Sequence, residues 1–552
     1  IAFVNGEIYN SKLLRAKYFK DTNFISNSDC EVIPHLYKKF GINFIEKLDG
    51  MFSIVIIDDE LNKLYLIKDS FGKKPIYYTE KPFNFCSEAR LFKKDSKISK
   101  ENVCSLLSSH FKFYNQTIFK NIKSLPPGSY LEYSEKKISI KTWYKPDIKF
   151  SNINNVNLQF YNLFENSVKK RLMSDVQIGV FLSGGMDSNL IINALDALGK
   201  KKIKTFTGII EDIDISQNST DTKKEIIKKT KHLDLDNHFV DIDYNYINKN
   251  FVKLVSEMDH PILDTGYIIA YALAEKAKEN NCKVIFSGIG GDECFGGYNW
   301  QSRYLGNQYI RNFIISFLSN FSKYFVKFNN KYVNYIFHPY FLHLSSLSLS
   351  YFRKKKFHFF QASKANTLNS IINIKKTYKN YFKNEFRNYL DFINIFGVMN
   401  HQLMTFDLAC MKNSVENRSP FLDRKLFEYC LSIPSKYKKK NKNLLLQIFK
   451  QFFPNVEFEN NEKSGPVINF AIFFNNDEIR SNAKKFIINN LNLLEKTISL
   501  DFTNYLKNNL EELEQENFRP MIAIITLLIW LKHNLNKNLD KNISLTNLFE
   551  TN

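Results

Sequence analysis

One string constrains the fold of this chain more than any other: Val180-Phe181-Leu182-Ser183-Gly184-Gly185-Met186-Asp187-Ser188. Apolar residues end a strand, two adjacent glycines allow a tight turn, and a helix-forming segment follows at once. Consecutive backbone N–H groups of such a turn and of the helix N-terminus point at one place and make an anion nest. The hydroxyls of Ser183 and Ser188 add donors, and Asp187 can hold Mg²⁺ against phosphate oxygens. No Gly-Lys-Ser/Thr follows, so γ-phosphoryl transfer is not the favoured reading. A bare Ser-Gly-Gly would be no more than a strand-to-helix turn, and it is the surrounding pattern that argues for a ligand.

That pattern is an alternation. A helix over 158–171 leads into a strand over 177–182, and a helix over 189–198 follows. Next come a strand (203–207), a helix (222–230), a strand (238–243), a helix (267–279) and a strand (283–287). Such alternation implies a parallel, doubly wound sheet. The last strand runs into Gly288-Ile289-Gly290-Gly291-Asp292-Glu293-Cys294-Phe295-Gly296-Gly297-Tyr298, five glycines in ten residues. Glycine-rich loops at the carboxyl edge of such sheets form ligand crevices, and Asp292 is placed to share a cation with Asp187. The bland alternative is a flexible loop with a solvated Asp-Glu pair. Two glycine-plus-aspartate loops on neighbouring strands count against it.

Residues 1–145 read instead as β-rich, with short apolar runs such as Phe52–Ile57 and Leu64–Ile67 between turns. Leu125-Pro126-Pro127-Gly128 is a strong turn, and a polar, Asn-rich linker covers about 147–156. Beyond 300 the chain reads as mostly helical, and it contains no internal repeat. At 552 residues two or more domains are expected. Seven widely spaced cysteines, with no CxxC, argue against a disulfide framework or zinc site and fit a reducing cytosol. The longest plainly apolar run, Pro520–Leu531, has 12 residues and is too short to span a bilayer. No signal peptide is visible.

The remaining motifs together resemble the glutamine-dependent asparagine synthetase family. Arg171-Leu172-Met173-Ser174-Asp175-Val176 running into Phe181–Ser188 is similar to its ATP-pyrophosphatase signature, and Ser287–Tyr298 to its second. Val415-Glu416-Asn417-Arg418-Ser419-Pro420-Phe421-Leu422-Asp423 is similar to a third. Lys463-Ser464-Gly465 resembles its late lysine loop, and Leu527–Leu531, with Trp530, its closing helix. The resemblance implies ATP contacts from Phe181, Ser183, Gly184, Gly185, Asp187, Ser188, Gly208, Ser287, Gly288 and Lys463, with Mg²⁺ on Asp187 and Asp292. Glu416 is expected near the acceptor amine, although a Glu-x-Arg is more often a structural ion pair.

Val4-Asn5-Gly6-Glu7-Ile8-Tyr9-Asn10 is similar to the family's glutaminase strand. Asp69–Tyr78 and Cys86-Ser87-Glu88 resemble further signatures of that domain. By resemblance Asn5 and Gly6 donate to a tetrahedral oxyanion, while Glu7 and Asp29 bind the α-amino group of glutamine. Taken alone, Asn5-Gly6 would be a hairpin turn.

The implied fold is α/β. It comprises a partial N-terminal Ntn-type αββα glutaminase domain (1–146) and an ATP-pyrophosphatase-type doubly wound sheet with a helical C-terminal part (157–552). The implied reaction is ATP-dependent amidation of a carboxylate through an acyl-adenylate, with ammonia derived from glutamine. The family's nucleophile is a cysteine at the mature N-terminus. Here residue 1 is Ile, so this segment is expected to lack glutaminase chemistry and to be a fragment of a longer protein. A cytoplasmic location and small-molecule partners (glutamine, ATP, a carboxylate acceptor) are expected, and a homodimer stays open.

Three readings compete. The first is amidation of aspartate. The second is amidation of another carboxylate, such as a uronic acid, which Ile289 and Leu408 favour by departing from the family's usual Glu and basic residue. The third is a polyanion or membrane-surface binder. Residues 301–400 carry 15 Lys/Arg against Glu385 and Asp391, which is +13 of the formal +21. Arg353–Lys356 is the only dense run there, no nucleic-acid motif accompanies it, and a solvated helical face explains it more simply.

Overall fold

The computed structural model describes residues 1–95, 97–109, 117–147, 155–173, 176–210, 219–263, 265–295, 394–433, 442–456, 468–536 and 539–551. The N-terminal part holds eight described strands. They are β1 (Ala2–Ile8), β2 (Gly50–Asp58), β3 (Lys63–Lys68), β4 (Tyr77–Glu80), β5 (Phe83–Cys86), β6 (Lys123–Ser124), β7 (Ser129–Ser134) and β8 (Lys137–Thr142). Five form an antiparallel sheet in the order β1-β2-β3-β7-β8, and three form a second sheet, β5-β4-β6.

Strand β2 is apolar on both faces, as a sheet buried on both sides requires. Its Phe52, Ile54 and Ile56 meet Leu14 of α1 (Ser11–Tyr18) and Val32, Ile33 and Leu36 of α2 (Val32–Phe40). Val55, on the other face, joins Leu66 and Leu131 against Ile76, Tyr78 and Leu125 of the smaller sheet side. The period of two continues outward. Tyr77, the neighbour of Tyr78, turns the other way and packs with Val103 and Leu106 of α3 (Lys100–Ser109). Helices, two sheets and helices thus stack in the expected αββα order.

The second sheet is parallel throughout. Its strands are β9 (Ile178–Phe181), β10 (Ile203–Ile210), β11 (Leu235–Ile242), β12 (Val284–Phe286) and β13 (Glu416–Arg418), in the order β11-β10-β9-β12-β13. The chain winds from β9 to one side through β10 and β11, then returns to place β12 on the other. That reversal beside β9 is a topological switch point, where such sheets bind ligands beyond their strand ends.

Connecting helices are α4 (Val156–Arg171), α5 (Met186–Ala197), α6 (Ser219–Thr230), α7 (Tyr244–Ser256), α8 (Gly266–Glu279) and α9 (Gly291–Phe295). Helix α7 is absent from the sequence reading because its surface is rich in Asn and Lys. Its signals are Asp243, whose side chain caps the Tyr246 N–H, and buried Ile247, Phe251, Leu254 and Val255 at helical spacing. Helices α10 (Asn400–Lys412), α11 (Arg424–Ser432) and α12 (Asn443–Phe452) follow, and further helices continue from 471 to 551. The two parts are not separate bodies. Phe119 and Ile122 lie in one apolar cluster with Met258, Ile262 and Trp530, and the Phe119 and Trp530 rings sit 5.9 Å apart.

Candidate active site

The Ser183–Ser188 loop springs from the carboxyl end of β9, as its sequence implied. Gly184 has φ +67°, a conformation that costs glycine little. The Ser188 hydroxyl accepts from the Ser183 N–H (3.2 Å) and reaches the Gly185 carbonyl (3.2 Å), which also accepts from Asn189 Nδ2 (2.9 Å). Gly185 caps α5 without a side chain, so no capping side chain occupies the N-terminal N–H groups of that helix, whose positive end favours an anion.

The Ser287–Gly291 loop leaves β12 and lies directly on this nest. A Cβ on Gly291 would stand 2.6 Å from Asp187 Cγ, and one on Gly288 would stand 2.9 Å from Asp187 Cβ. Only glycine lets the two loops approach so closely. Asp187 and Asp292 do converge on one point, and there the Lys442 ammonium forms ion pairs with both carboxylates. Burial alone would push this ammonium down, but the two aspartates hold it above the usual lysine value. Two carboxylates sharing one cation fit Mg²⁺, which binds through one or two carboxylates plus phosphate and water oxygens. The sequence does not single out Lys442, which sits in the run Lys438-Lys439-Lys440-Asn441-Lys442, a pattern that reads as solvated surface.

Phe181 is buried at the end of β9, and Gly208 lies near the end of the neighbouring β10. Lys463, Ser174, Asp175 and the basic residues of 301–393 lie outside the described residues. Ile289 is buried in an apolar cluster with Phe421 and Leu422, and Leu408 packs part-buried against another cluster.

Asn5, Gly6 and Glu7 lie within β1, paired with Ser53, Phe52 and Met51. The hairpin-turn reading of Asn5-Gly6 is thereby excluded. Asp29 stands beside this strand and accepts the Ile8 N–H at 2.5 Å. Burial and the neighbouring Glu416 push Glu7 up to about 7, while Arg418 opposes them. Burial and Asp29 push the Cys30 thiol up to about 12, so it is no ready thiolate.

Glu416 does not stand at the nest. It begins β13, in register with Val284 and Ile178, at the opposite end of the strands from the two loops. It accepts from Arg418 Nε at 2.6 Å, which is the Glu-x-Arg ion pair. The buried Arg418 also donates to the Arg171 carbonyl at 2.7 Å and approaches Glu7 Oε1 at 3.4 Å. One arginine of the second sheet therefore reaches the residues grouped on β1.

Comparison with known proteins follows the same division. Residues 1–144 match the model of a glutamine amidotransferase domain. The chain is 30% identical over 473 residues to asparagine synthetase [glutamine-hydrolyzing] 2 of Bacillus subtilis, covering 80% of this chain and 58% of that one. It is 31% identical over 306 residues to asparagine synthetase [glutamine-hydrolyzing] 1 of Arabidopsis thaliana, covering 54% of this chain and 48% of that one. The chain thus spans about half the length of the curated relatives it matches. A solved glutamine phosphoribosylpyrophosphate amidotransferase from B. subtilis is 16% identical, covering 41% of this chain and 50% of that one, with a TM-score of 0.20, too low to argue from. The asparagine synthase model itself matches residues 159–532, which hold the parallel sheet and both glycine–aspartate loops, and the chain belongs to that family.

Proposed function

We propose that the protein to which this chain belongs catalyses ATP-dependent amidation of aspartate to asparagine through an acyl-adenylate, with ammonia derived from glutamine. Residues 1–146 form its glutaminase part and residues 157–552 its synthetase part. The observation that carries this reading is the convergence of Asp187 and Asp292, from loops on adjacent parallel strands, on one cation beside an anion nest.

The acceptor carboxylate attacks the α-phosphorus of ATP and pyrophosphate leaves. The backbone N–H groups of 184–188 and the Ser183 hydroxyl face the negative charge that accumulates on the leaving group, while Ser188 holds the turn through the Ser183 N–H and the Gly185 carbonyl. Asp187 and Asp292 would hold Mg²⁺, which supplies charge neutralisation at the phosphates. Lys442, released from the two carboxylates, has a charge suited to the same oxygens. Ammonia then displaces AMP from the acyl carbon. On the glutaminase side, Asn5 and Gly6 bind the oxyanion, and the carboxylates of Glu7 and Asp29 bind the α-ammonium of glutamine.

The test is full-length protein supplied with MgATP, ammonium and aspartate, with pyrophosphate and asparagine measured. Pyrophosphate that depends on aspartate is expected. ATP binding without any aspartate-dependent pyrophosphate would overturn the acceptor, and no ATP binding at all would overturn the site.

A further inference from the structure

Lys73 belongs to the N-terminal part, in the turn between β3 and β4, yet its side chain is buried against the second sheet. It is 4% exposed, and its Nζ donates to Ser419 Oγ at 3.1 Å. Ser419 follows β13. Its hydroxyl lies 3.3 Å from that of Ser287, which in turn donates to Asn417 Oδ1 at 2.7 Å. Ser287 opens the loop that presses Gly288 and Gly291 onto Asp187. A short, wholly buried chain of polar atoms therefore runs from a lysine of the glutaminase part to the loop facing the nest.

An amine is a costly group to bury at such a point. Burial pushes Lys73 down to about 7, with Asp407 opposing that shift and Lys74 reinforcing it. The adjacent Lys74 has Asp407 as its ion-pair partner at 2.8 Å. Lys73 donates to a hydroxyl instead. An apolar side chain of similar length would fill this space without the desolvation cost. Retaining the amine is explained if its hydrogen bond fixes a geometry that matters.

We propose that Lys73 is a positioning residue for the nucleotide loop: its amine fixes the Ser419–Ser287 hydroxyl pair and so sets residues 287–291 against Asp187. The glutaminase part thereby contributes to the ATP site without touching ATP. This inference rests on the reading of 287–291 as part of that site.

The test measures MgATP affinity by titration calorimetry, with no acceptor present, alongside thermal melting, for full-length wild type, Lys73→Met, Ser419→Ala and the double variant. Lys73→Met is expected to weaken ATP binding about tenfold, the scale of one lost buried hydrogen bond. Its melting temperature should stay level or rise. Ser419→Ala should weaken binding comparably, and the double variant no more than either single one, because all three break the same chain. Unchanged ATP affinity in Ser419→Ala, or fully additive losses in the double variant, would overturn the proposal. Should Lys73→Met fail to fold, Ser419→Ala alone decides by the same criterion. Wild type that binds no ATP would instead overturn the nucleotide-site reading, and this inference with it.

Discussion

Lys442 is held by Asp187 and Asp292 in the place where those two side chains would otherwise repel each other. Lys442→Met should therefore lower the melting temperature in chelator. Added Mg²⁺ should recover more of it than in wild type, since the cation then relieves a repulsion that wild type has already relieved. Equal Mg²⁺ shifts in the two proteins would contradict this. Glu7 offers a pH experiment. Its carboxyl titrates near 7 in the folded protein, against an ordinary value of 4.5. The folded state holds the proton more tightly, so this group's contribution to stability is complete below 4.5 and is lost as pH rises through 7. Glu7→Gln should flatten that part of the melting-temperature profile. Glutamine affinity has the opposite slope. An α-ammonium needs the ionised carboxylate, so binding to the full-length protein should tighten from pH 6 to 8 in wild type and stay flat in Glu7→Gln.

Among elements, the two glycine loops form the candidate site, and they were also its most legible part. A strand, paired glycines and a helix leave the chain few options, and the first loop stands where its sequence set it; the second is a loop only before α9 (Gly291–Phe295), and residues 296–298 lie outside the described residues. Gly291→Ala tests their contact. The new Cβ would meet Asp187 Cγ at 2.6 Å, forcing the loops apart at a cost of about 1–3 kcal/mol. ATP affinity measured by calorimetry should fall by about five- to a hundredfold on that scale while the overall helical circular dichroism is kept. What the sequence did not disclose was long-range. Lys442 sits in a lysine run whose local pattern reads as solvent-facing, and only the tertiary fold shows that Lys442 is buried. Glu416 was recognisable as half of a Glu-x-Arg pair. Its station at the far end of the strand depended on the register of β13 against β12, which no local spacing encodes. Lys73 and Ser419 are 346 residues apart, and neither bears a motif pointing to the other.

Over the whole molecule, the feature with the widest consequence is the apolar cluster that crosses from Phe119 and Ile122 to Met258, Ile262 and Trp530. Trp530 is wholly buried there and donates its Nε1–H to the Met258 carbonyl at 3.0 Å. Trp530→Ala should cost about 3–5 kcal/mol, and calorimetry should still record one transition rather than a split pair. On the proposed function the two reactions are chemically separable, and a gene could be cut near residue 150 in an attempt to obtain each alone. The shared cluster makes that division costly. A clone of 157–552 would present Trp530 and its neighbours to water and is expected in the insoluble fraction, whereas co-expression with 1–146 should return it to solution. The two parts are thus inherited as one folding unit, whatever independence the proposed chemistry would allow.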